Sequence, residues 1–322
     1  MTPTLESLEA LAARLPSLES PEASDKHWLG SESVQAYLNH YNINFLQEGL
    51  CQHHSFGRFR ASGFDVAAHI WRPAAPAGTV FFIHGFTDNV GLMQHALRFL
   101  LQQKFAVVAF DLPGHGLSSG DQASIDSFDQ YRDVFMVCMR KVVGLPHPWH
   151  AVGQSTGGAV LLNFLGSLPQ QQSIEKVMLL APLIRPQGWA LARWVFPIYK
   201  MLVRQLPRKF NQSSHDADFL RFVENEDPLQ TRITPMRWAV AMEEWIDNFW
   251  VFDVQKRPLT IIQGDSDQTV DFEYNLEAIR EKFPHTRVVN IVGGRHQLVN
   301  ESEQYREKVM SALKDWLWAS SA

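Results

Sequence analysis

The segment 149–162 places a serine between a short apolar run and a helix-forming run, and this arrangement constrains the fold more than any other in the chain. Gly153 and Gly157 flank Ser155 two residues away on either side, in the pattern Gly-x-Ser-x-Gly. A serine at so sharp a strand-to-helix turn needs neighbours without side chains, because a Cβ there would collide across the bend. The helix behind the serine directs free backbone N–H groups at negative charge that develops beside it. The segment therefore predicts covalent catalysis by Ser155.

The five-residue pattern by itself is weak evidence, since about one chain of this length in ten would contain it by chance. Its context is less common. Apolar Ala151 and Val152 precede the serine, a helical apolar run begins at Val160, and compatible partner residues follow in the expected chain order. A structural Gly-Ser turn is the alternative interpretation.

Strand-forming and helix-forming runs alternate along most of the chain after residue 78. The predicted strands are 79–83, 105–110, the strand before Ser155, 174–181, 259–263 and 287–292, and the predicted helices include 92–102, 128–143 and one from Ser302. Continuous β-prone runs are typical of strands buried on both faces of a sheet. An antiparallel hairpin, 55–61 with 64–71, precedes them. The pattern predicts an α/β fold with a mostly parallel, doubly wound sheet.

Two segments stand outside this alternation. Residues 1–50 carry apolar residues at helical spacing and predict an N-terminal helical extension that covers the domain, with an interaction arm as the alternative. Residues 186–252 contain no convincing strand but are dense in aromatic residues. We interpret them as a helical lid inserted above the carboxyl edge of the sheet, where open α/β sheets bind ligands. The core domain is then 51–185 with 253–322.

Length and charge narrow the class of protein. The chain has 322 residues, is 45% hydrophobic and carries a net charge of −5 with both signs interspersed, so it can bury one large core and does not suggest a nucleic-acid partner. Cys51 and Cys138 are too few for a disulfide framework and predict reduced thiols. The first residues are acidic and no long apolar run occurs, so we expect no signal peptide and no membrane span. These features predict a cytoplasmic location, with peripheral contact at the membrane left open.

A serine nucleophile needs a base, an acid that orients the base, and N–H donors for the oxyanion. His296 is the candidate base, because it lies in a loop that Gly293 and Gly294 free after a predicted strand. Asp265 and Asp267 follow another strand, and we favour Asp267 as the acid since it lies further along the loop, whereas Asp265 is better placed to hold the turn.

The oxyanion hole is predicted from the segment that follows the strand 79–83. Gly85 lets this backbone approach Ser155, so the N–H groups of Phe86 and Thr156 can meet the developing charge. His84 is interpreted as a structural hydrogen-bonding residue of the same turn.

These residues carry a family resemblance. Their order, with the segments His84-Gly85-Phe86, Asp-Leu-Pro-Gly-His-Gly-Leu-Ser at 111–118 and the glycine-flanked serine, resembles the α/β-hydrolase superfamily from about residue 55 to 318. Within it the chain resembles the monoacylglycerol lipase and lysophospholipase branch, also called the serine aminopeptidase-like hydrolases, whose lids contain the Asp-Pro-Leu found at 227–229. The resemblance implies that Asp267 is the triad acid. Gln154, in place of the histidine common in monoacylglycerol lipases, and the long extension depart from the pattern and leave the exact substrate open.

The sequence thus predicts a serine carboxylester hydrolase that forms an acyl-enzyme and needs no metal or organic cofactor. The resemblance and the apolar lid imply lipid-like monoesters, such as monoacylglycerols or lysophospholipids. One alternative is an aminopeptidase, in which Glu243 or Glu244 would bind a free amine. A catalytically idle lipid-binding homologue is another. A hydrolase with an aspartate nucleophile is disfavoured because position 155 is serine.

The lid segment, residues 186–252, also carries a basic pattern. Arg193, Lys200, Arg204 and Arg208 would share one stripe of a continuous helix, opposite Val195, Ile198, Tyr199, Leu202 and Leu206. Such a lid could rest on anionic lipid or receive a phosphate-bearing headgroup, and an ordinary solvated face is the alternative. Pro197 is expected to kink this helix. The oligomeric state is not predicted.

Overall fold

A computed structural model describes residues 2–168 and 173–319. The strands are β1 His53–Ala61, β2 Phe64–Arg72, β3 Thr79–Ile83, β4 Ala106–Phe110, β5 Trp149–Gln154, β6 Lys176–Leu180, β7 Gln205–Pro207, β8 Ile233–Pro235, β9 Leu259–Gly264 and β10 Thr286–Ile291. The helices are α1 Leu5–Arg14, α2 Lys26–Leu29, α3 Glu32–His40, α4 Gln94–Gln102, α5 Phe128–Lys141, α6 Thr156–Ser167, α7 Trp189–Leu202, α8 Ala217–Arg221, α9 Met236–Val251, α10 Phe272–Lys282 and α11 Glu303–Trp318.

Over these residues, eight strands form one sheet in the order β1-β2-β4-β3-β5-β6-β9-β10. β1 pairs antiparallel with β2, and β2 with β4, while every other neighbouring pair is parallel. The register pairs Ile83 with Gly153 and Gly264 with Ile291, so β3, β5, β9 and β10 end at the same edge of the sheet. The predicted α/β-hydrolase sheet is confirmed, and the loops that carry the predicted site residues leave this edge.

Helices cover both faces of the sheet and bury a separate apolar cluster on each. One cluster contains side chains of α5, α6 and α9, and the other contains side chains of α1, α3, α4 and α11. β3 and β4 are fully buried along their length, which explains why both read as continuous apolar runs. The layers are those of a doubly wound fold.

The first fifty residues form short helices that pack on one face of the sheet. Leu8, Leu11, Val34 and Tyr37 are buried in the same cluster as α4 and α11. Residues 16–18 run along the outer side of β1, where Arg58 donates its N–H to the Pro16 carbonyl at 2.8 Å and accepts from the Leu18 N–H at 2.9 Å. The extension therefore lies along one edge of the sheet as well as over its face.

The lid segment differs in two respects from the prediction. β7 and β8 form a separate two-stranded ribbon. A strand of three residues is too short to show a period in the sequence, so this ribbon was not predicted. α7 contains Pro197 and ends at Leu202. The predicted basic stripe is therefore wrong as a stripe, because Arg204 and Arg208 lie beyond the helix, on either side of β7. The division of the chain into extension, core and lid stays a prediction.

Among residues 2–168 and 173–319, every helix is too short or too polar to span a bilayer.

Candidate active site

The turn between β5 and α6 holds Ser155 in the strained conformation expected of a nucleophile. Its φ is 53° and its ψ is −112°, a backbone region that non-glycine residues seldom adopt. A Cβ on Gly153 would lie 2.4 Å from the Gly157 carbonyl oxygen, and one on Gly157 would lie 2.1 Å from that of Ile83. Both glycines are therefore required by close backbone contact. The serine is held at the edge where β3 and β5 end.

His296 and Asp267 form the hydrogen-bonded pair that the sequence predicted. The His296 Nδ1 lies 2.8 Å from Asp267 Oδ2, and both side chains are buried. The other carboxylate oxygen, Oδ1, accepts from the N–H groups of Thr269 at 2.8 Å and Val270 at 3.2 Å. These bonds fix the carboxylate and leave Nε2 of the imidazole as the nitrogen that can accept a proton.

The two groups shift each other's pKa in the directions that favour a general base. Burial opposes the charged form of His296, but Asp267, through its charge and hydrogen bond, and the nearby charge of Asp88 outweigh it and raise the pKa of His296. Burial likewise opposes the ionised form of Asp267, and its bonds with His296 and the two backbone N–H groups lower its pKa overall. The pair is arranged to stabilise an imidazolium.

Asp265 has the structural role anticipated for it. Its Oδ1 accepts from the Gly293 N–H at 2.7 Å and its Oδ2 from the Asn290 side chain at 3.1 Å. These bonds join the loops after β9 and β10 at their bases. Asp265 therefore holds the turn, whereas Asp267 holds the histidine.

The predicted oxyanion loop, residues 84–89, lies directly against Ser155. A Cβ on Gly85 would be 3.2 Å from the Cβ of Ser155, a tighter contact than most Cβ atoms make, so a glycine suits this close approach. His84 donates through Nδ1 to the Gly85 carbonyl at 2.7 Å and accepts at Nε2 from the Leu112 N–H at 2.9 Å. Burial lowers the pKa of His84 to about 3, which keeps it neutral in this structural role. Thr156 is the first residue of α6, and Phe86 and Thr156 line the same cavity as Ser155.

A cavity of about 330 Å³ opens above Ser155. Ser155, Thr156, Phe86 and His296 line this Ser155 cavity, so the predicted nucleophile, base and oxyanion residues meet in one space. Trp238 of α9 stacks on Phe86 with ring centroids 3.8 Å apart and contributes an apolar wall, and Leu183, Pro186 and Val270 complete it. The lid segment thus supplies part of the pocket.

The hydroxyl of Ser155 makes no hydrogen bond to the His296 imidazole among the described residues. Nucleophile–base hydrogen bonds commonly tighten only when substrate is bound. The two side chains border the same cavity, which is the arrangement from which such a bond can form.

Arg208 brings a positive charge to the wall of this cavity. Its guanidinium donates to the Gln230 side chain and to the Thr231 carbonyl, and it lies 4.5 Å from the centre of the Phe210 ring. Among the described residues it forms no ion pair with a carboxylate. Sequence reasoning placed Arg208 on a helical stripe and so missed its position at the site.

Two further polar residues of the site were not singled out from the sequence. Asp88 follows Phe86 by two positions, and Gln297 directly follows His296. The Gln297 Nε2 donates to both carboxylate oxygens of Asp88, at 3.1 and 3.2 Å, and its Oε1 accepts from Gln154 Nε2 at 2.7 Å. Their positions in the sequence, close to the predicted site residues Phe86 and His296, could have identified them as candidates.

Neither Glu243 nor Glu244 fits the role of the amine-binding residue in the aminopeptidase alternative. Glu243 is bonded to Lys200 at 2.9 Å, and neither glutamate is among the described residues that line the Ser155 cavity. The structure therefore offers no support for the aminopeptidase alternative at these two positions.

Comparison with known proteins adds to this geometry. A model of the hydrolase family described as serine aminopeptidase, S33, matches residues 74–303. The phospholipase YtpA of Bacillus subtilis is 24% identical over 255 residues, covering 76% of this chain and 96% of that protein. An uncharacterized abhydrolase domain-containing protein of Dictyostelium discoideum is 31% identical over 101 residues, which are 31% of this chain and 11% of that protein.

Among solved structures, a soluble variant of monoglyceride lipase from Saccharomyces cerevisiae, in complex with a substrate analog, aligns with a TM-score of 0.71. The sequences are 17% identical, and the alignment covers 82% of this chain and 95% of that one. At this level of identity the likeness establishes a shared fold.

Proposed function

The chain belongs to the serine aminopeptidase S33 family of α/β-hydrolases and is a serine ester hydrolase, and we propose that Ser155, His296 and Asp267 are the residues that hydrolyse its ester substrate. The observation that carries the proposal is the 2.8 Å bond between His296 and Asp267 at the wall of the cavity that contains Ser155. The three side chains come from loops after β9 and β10 and from the turn after β5, which lie far apart in the sequence.

In the proposed mechanism, His296 Nε2 removes the proton from the Ser155 hydroxyl as its oxygen attacks the ester carbonyl. Asp267 keeps the imidazole in the correct tautomer and stabilises the imidazolium. The N–H groups of Phe86 and Thr156 stabilise the oxyanion of the tetrahedral intermediate. His296 then protonates the departing alcohol. Water, activated by the same imidazole, attacks the acyl-enzyme, releases the carboxylic acid and restores the serine.

The substrate class follows from the walls of the cavity. Trp238, Phe86, Leu183 and Val270 offer an apolar surface for an acyl chain. Arg208 and Lys209 lie on the same cavity and supply positive charge. We propose lipid-like monoesters as substrates. The acyl chain of a monoacylglycerol would contact the apolar wall, and the phosphate of a lysophospholipid would in addition contact the positively charged side chains.

The outer face of α7 supports the proposal of contact with a lipid surface. Leu191, Trp194, Met201 and Leu202 are between 72% and 84% exposed, whereas single exposed apolar residues, not clusters, are usual on a surface. Arg193 lies on the same helix, and Arg204 follows it. An apolar face bordered by positive charge suits an anionic membrane surface. Free, buried Cys51 and Cys138 are consistent with a reducing compartment, and we propose the cytoplasm.

The test is a chain-length series of nitrophenyl esters, followed by a monoacylglycerol and a lysophospholipid of one acyl chain. We expect the wild-type chain to hydrolyse at least one of them and to be labelled at Ser155 by a fluorophosphonate. Ser155→Ala should be silent in both assays. Equal turnover by this variant would contradict the mechanism. Absence of labelling in the wild type would favour an idle lipid-binding protein, and turnover of aminoacyl anilides without esters would favour an aminopeptidase.

A further inference from the structure

One chain of hydrogen bonds links the three loops that carry the proposed catalytic residues. Gln154 is the last residue of β5, immediately before Ser155, Asp88 lies in the oxyanion loop, and Gln297 follows His296. The Gln154 Nε2 donates to Gln297 Oε1 at 2.7 Å, and the Gln297 Nε2 donates to the two oxygens of Asp88 at 3.1 and 3.2 Å. Each of these three hydrogen-bonded residues is next to a different part of the proposed catalytic site.

The direction of these bonds is determined by their chemistry. A carboxylate can only accept, so the Gln297 amide must turn its nitrogen to Asp88 and leave its oxygen for Gln154. Gln154 is fully buried, and its own Oε1 has no partner among the described residues. Its bond to Gln297 is therefore the one hydrogen bond that this buried side chain makes in the described parts of the chain. A buried amide is costly to leave unpaired, which makes the Gln154–Gln297 contact specific.

Gln297 also forms a hydrogen bond with the lid segment. Its backbone N–H donates to the Ser213 carbonyl at 2.8 Å. The residue thus connects the nucleophile elbow, the oxyanion loop, the histidine loop and the lid segment. A displacement of about 1 Å among reacting groups can reduce a rate about a hundredfold, so a contact that fixes all of them has a consequence for the reaction.

We infer that Gln297 is a positioning residue, which holds the nucleophile elbow and the oxyanion loop in place beside His296 through its hydrogen bonds to Gln154 and Asp88. The inference rests on the proposed function, because it assigns Gln297 a role in the same esterolysis. It adds Asp88 as a second carboxylate near the histidine. Gln154, where monoacylglycerol lipases commonly have a histidine, acquires a specific purpose in this chain.

The hydrogen bonding and charge of Asp88 also affect the pKa of His296, the proposed base. Burial raises the pKa of Asp88, while the Gln297 amide, Arg208 of the lid segment and His296 lower it. His296 in turn faces Asp267 and Asp88, both of which raise its pKa, and Lys209 lines the same cavity. Removing the Gln297 amide destabilises the ionised form of Asp88. Where Asp88 loses its charge, as in Asp88→Asn, the pKa of His296 falls, because it loses a neighbouring negative charge.

The experiment compares Gln297→Met, Gln154→Met, the double variant and Asp88→Asn in the whole chain, with Gln255→Met as the matched control. Gln255 is also a buried glutamine, but its amide donates to the Asp253 carbonyl, outside the Ser155 cavity. The readouts are ester kcat/KM against pH and the rate of labelling by a small fluorophosphonate. The small probe lacks the lipid parts of a substrate, so it separates positioning of Ser155 from contact with substrate.

Gln297→Met should lower both rates about tenfold, as expected for the loss of a hydrogen bond to a charged group. In Asp88→Asn, the acid limb of kcat/KM should move down by about half a pH unit or more, and any shift in Gln297→Met should be in the same direction. The amide oxygen introduced by Asp88→Asn can still accept one of the two bonds from Gln297, so this variant removes the charge while it keeps one of these hydrogen bonds. The double variant should be no slower than Gln297→Met, because that substitution already removes the shared bond. Gln255→Met should leave rates and acid limb unchanged.

The inference is overturned if the losses of the two glutamine variants multiply in the double variant, or if Gln297→Met labels at the wild-type rate with an unmoved acid limb. Either result can be told apart from failure of the proposed function. If the proposed function failed, the wild-type chain itself would neither hydrolyse esters nor be labelled at Ser155.

Discussion

The Tyr41 hydroxyl, at the end of α3, donates a 2.5 Å hydrogen bond to Oδ1 of Asp227, 186 residues later in the chain. Asp227 begins the Asp-Pro-Leu segment of the predicted lid. Its carboxylate also accepts from Asn89 of the oxyanion loop at 3.3 Å and from the Gln230 side chain at 2.9 Å. One buried carboxylate thus joins the N-terminal extension, the oxyanion loop and the lid segment.

Tyr41→Phe should therefore lower the free energy of unfolding by about 1.5–3 kcal/mol, since it removes a hydrogen bond to a buried charged group. Tyr37→Phe is the matched control, because Tyr37 is equally buried in α3 but its hydroxyl makes only a 3.5 Å contact with His69. Urea denaturation measures both. Equal losses for the two variants would show that the bond to Asp227 has no special weight.

The pH dependence of kcat/KM should report the raised pKa of His296. Only the neutral imidazole can accept the serine proton, so activity should fall with decreasing pH through a pKa above 6.5, the ordinary histidine value. Asp267→Asn removes the group that most raises this pKa, so the acid limb of the residual activity should move to a lower pH. Its rate should fall about a thousandfold or more.

Asp265→Asn is the control for this prediction, because Asp265 lies on the same loop and bonds to Gly293 and Asn290 instead of the histidine. It should keep the wild-type acid limb and most of the activity. A shifted limb in Asp265→Asn, with Asp267→Asn unaffected, would reverse the two assignments.

Arg208 should distinguish substrates by charge. Arg208→Gln is expected to lower kcat/KM about ten- to a hundredfold for an anionic lysophospholipid, because a charge-assisted hydrogen bond is lost. For a monoacylglycerol of the same acyl chain the change should stay within about threefold. Arg140→Gln, which alters an exposed arginine of α5 outside the Ser155 cavity, is the control and should affect neither substrate. Equal losses on both substrates would contradict recognition of the anion by Arg208.

Removal of exposed apolar side chains from α7 should weaken binding to vesicles that contain anionic phospholipid. Leu191→Ser with Met201→Ser should reduce co-sedimentation affinity at least about tenfold, because each side chain loses apolar area that a lipid surface would bury. Val143→Ser, at a residue that is 72% exposed elsewhere on the surface, should have no effect. Unchanged binding by the α7 variant would place the membrane contact on another surface.

The parts of the fold that were predictable are those in which a local pattern has a physical cause. β3 and β4 are buried on both faces, so their sequences are almost entirely apolar. The backbone at Gly153 and Gly157, on either side of Ser155, passes too close to other backbone atoms to allow a side chain. Loops that follow neighbouring parallel strands must meet at one edge, which brings the segments of Asp267 and His296 together. These relations need no knowledge of distant contacts.

The features that escaped prediction depend on distant contacts. Nothing local in the sequence pairs Gln154 with Gln297, or Tyr41 with Asp227, because neither pairing leaves a periodic pattern. Arg208 was assigned to a helical stripe because its spacing from Lys200 and Arg204 is helical, yet α7 ends at Leu202 and the chain then enters a short strand. Spacing describes a helix only where the helix continues.

The pairing of residues 16–18 with the outer side of β1 has a consequence for the behaviour of the chain in solution. β1 is at the end of the eight-stranded sheet, and an uncovered terminal strand offers free N–H and carbonyl groups to another molecule. In the intact chain Arg58 has both of these groups satisfied from within. We therefore expect these residues to block strand addition at Arg58, and size-exclusion chromatography should show that a version shortened to start after residue 20 self-associates at concentrations where the 322-residue chain stays dispersed.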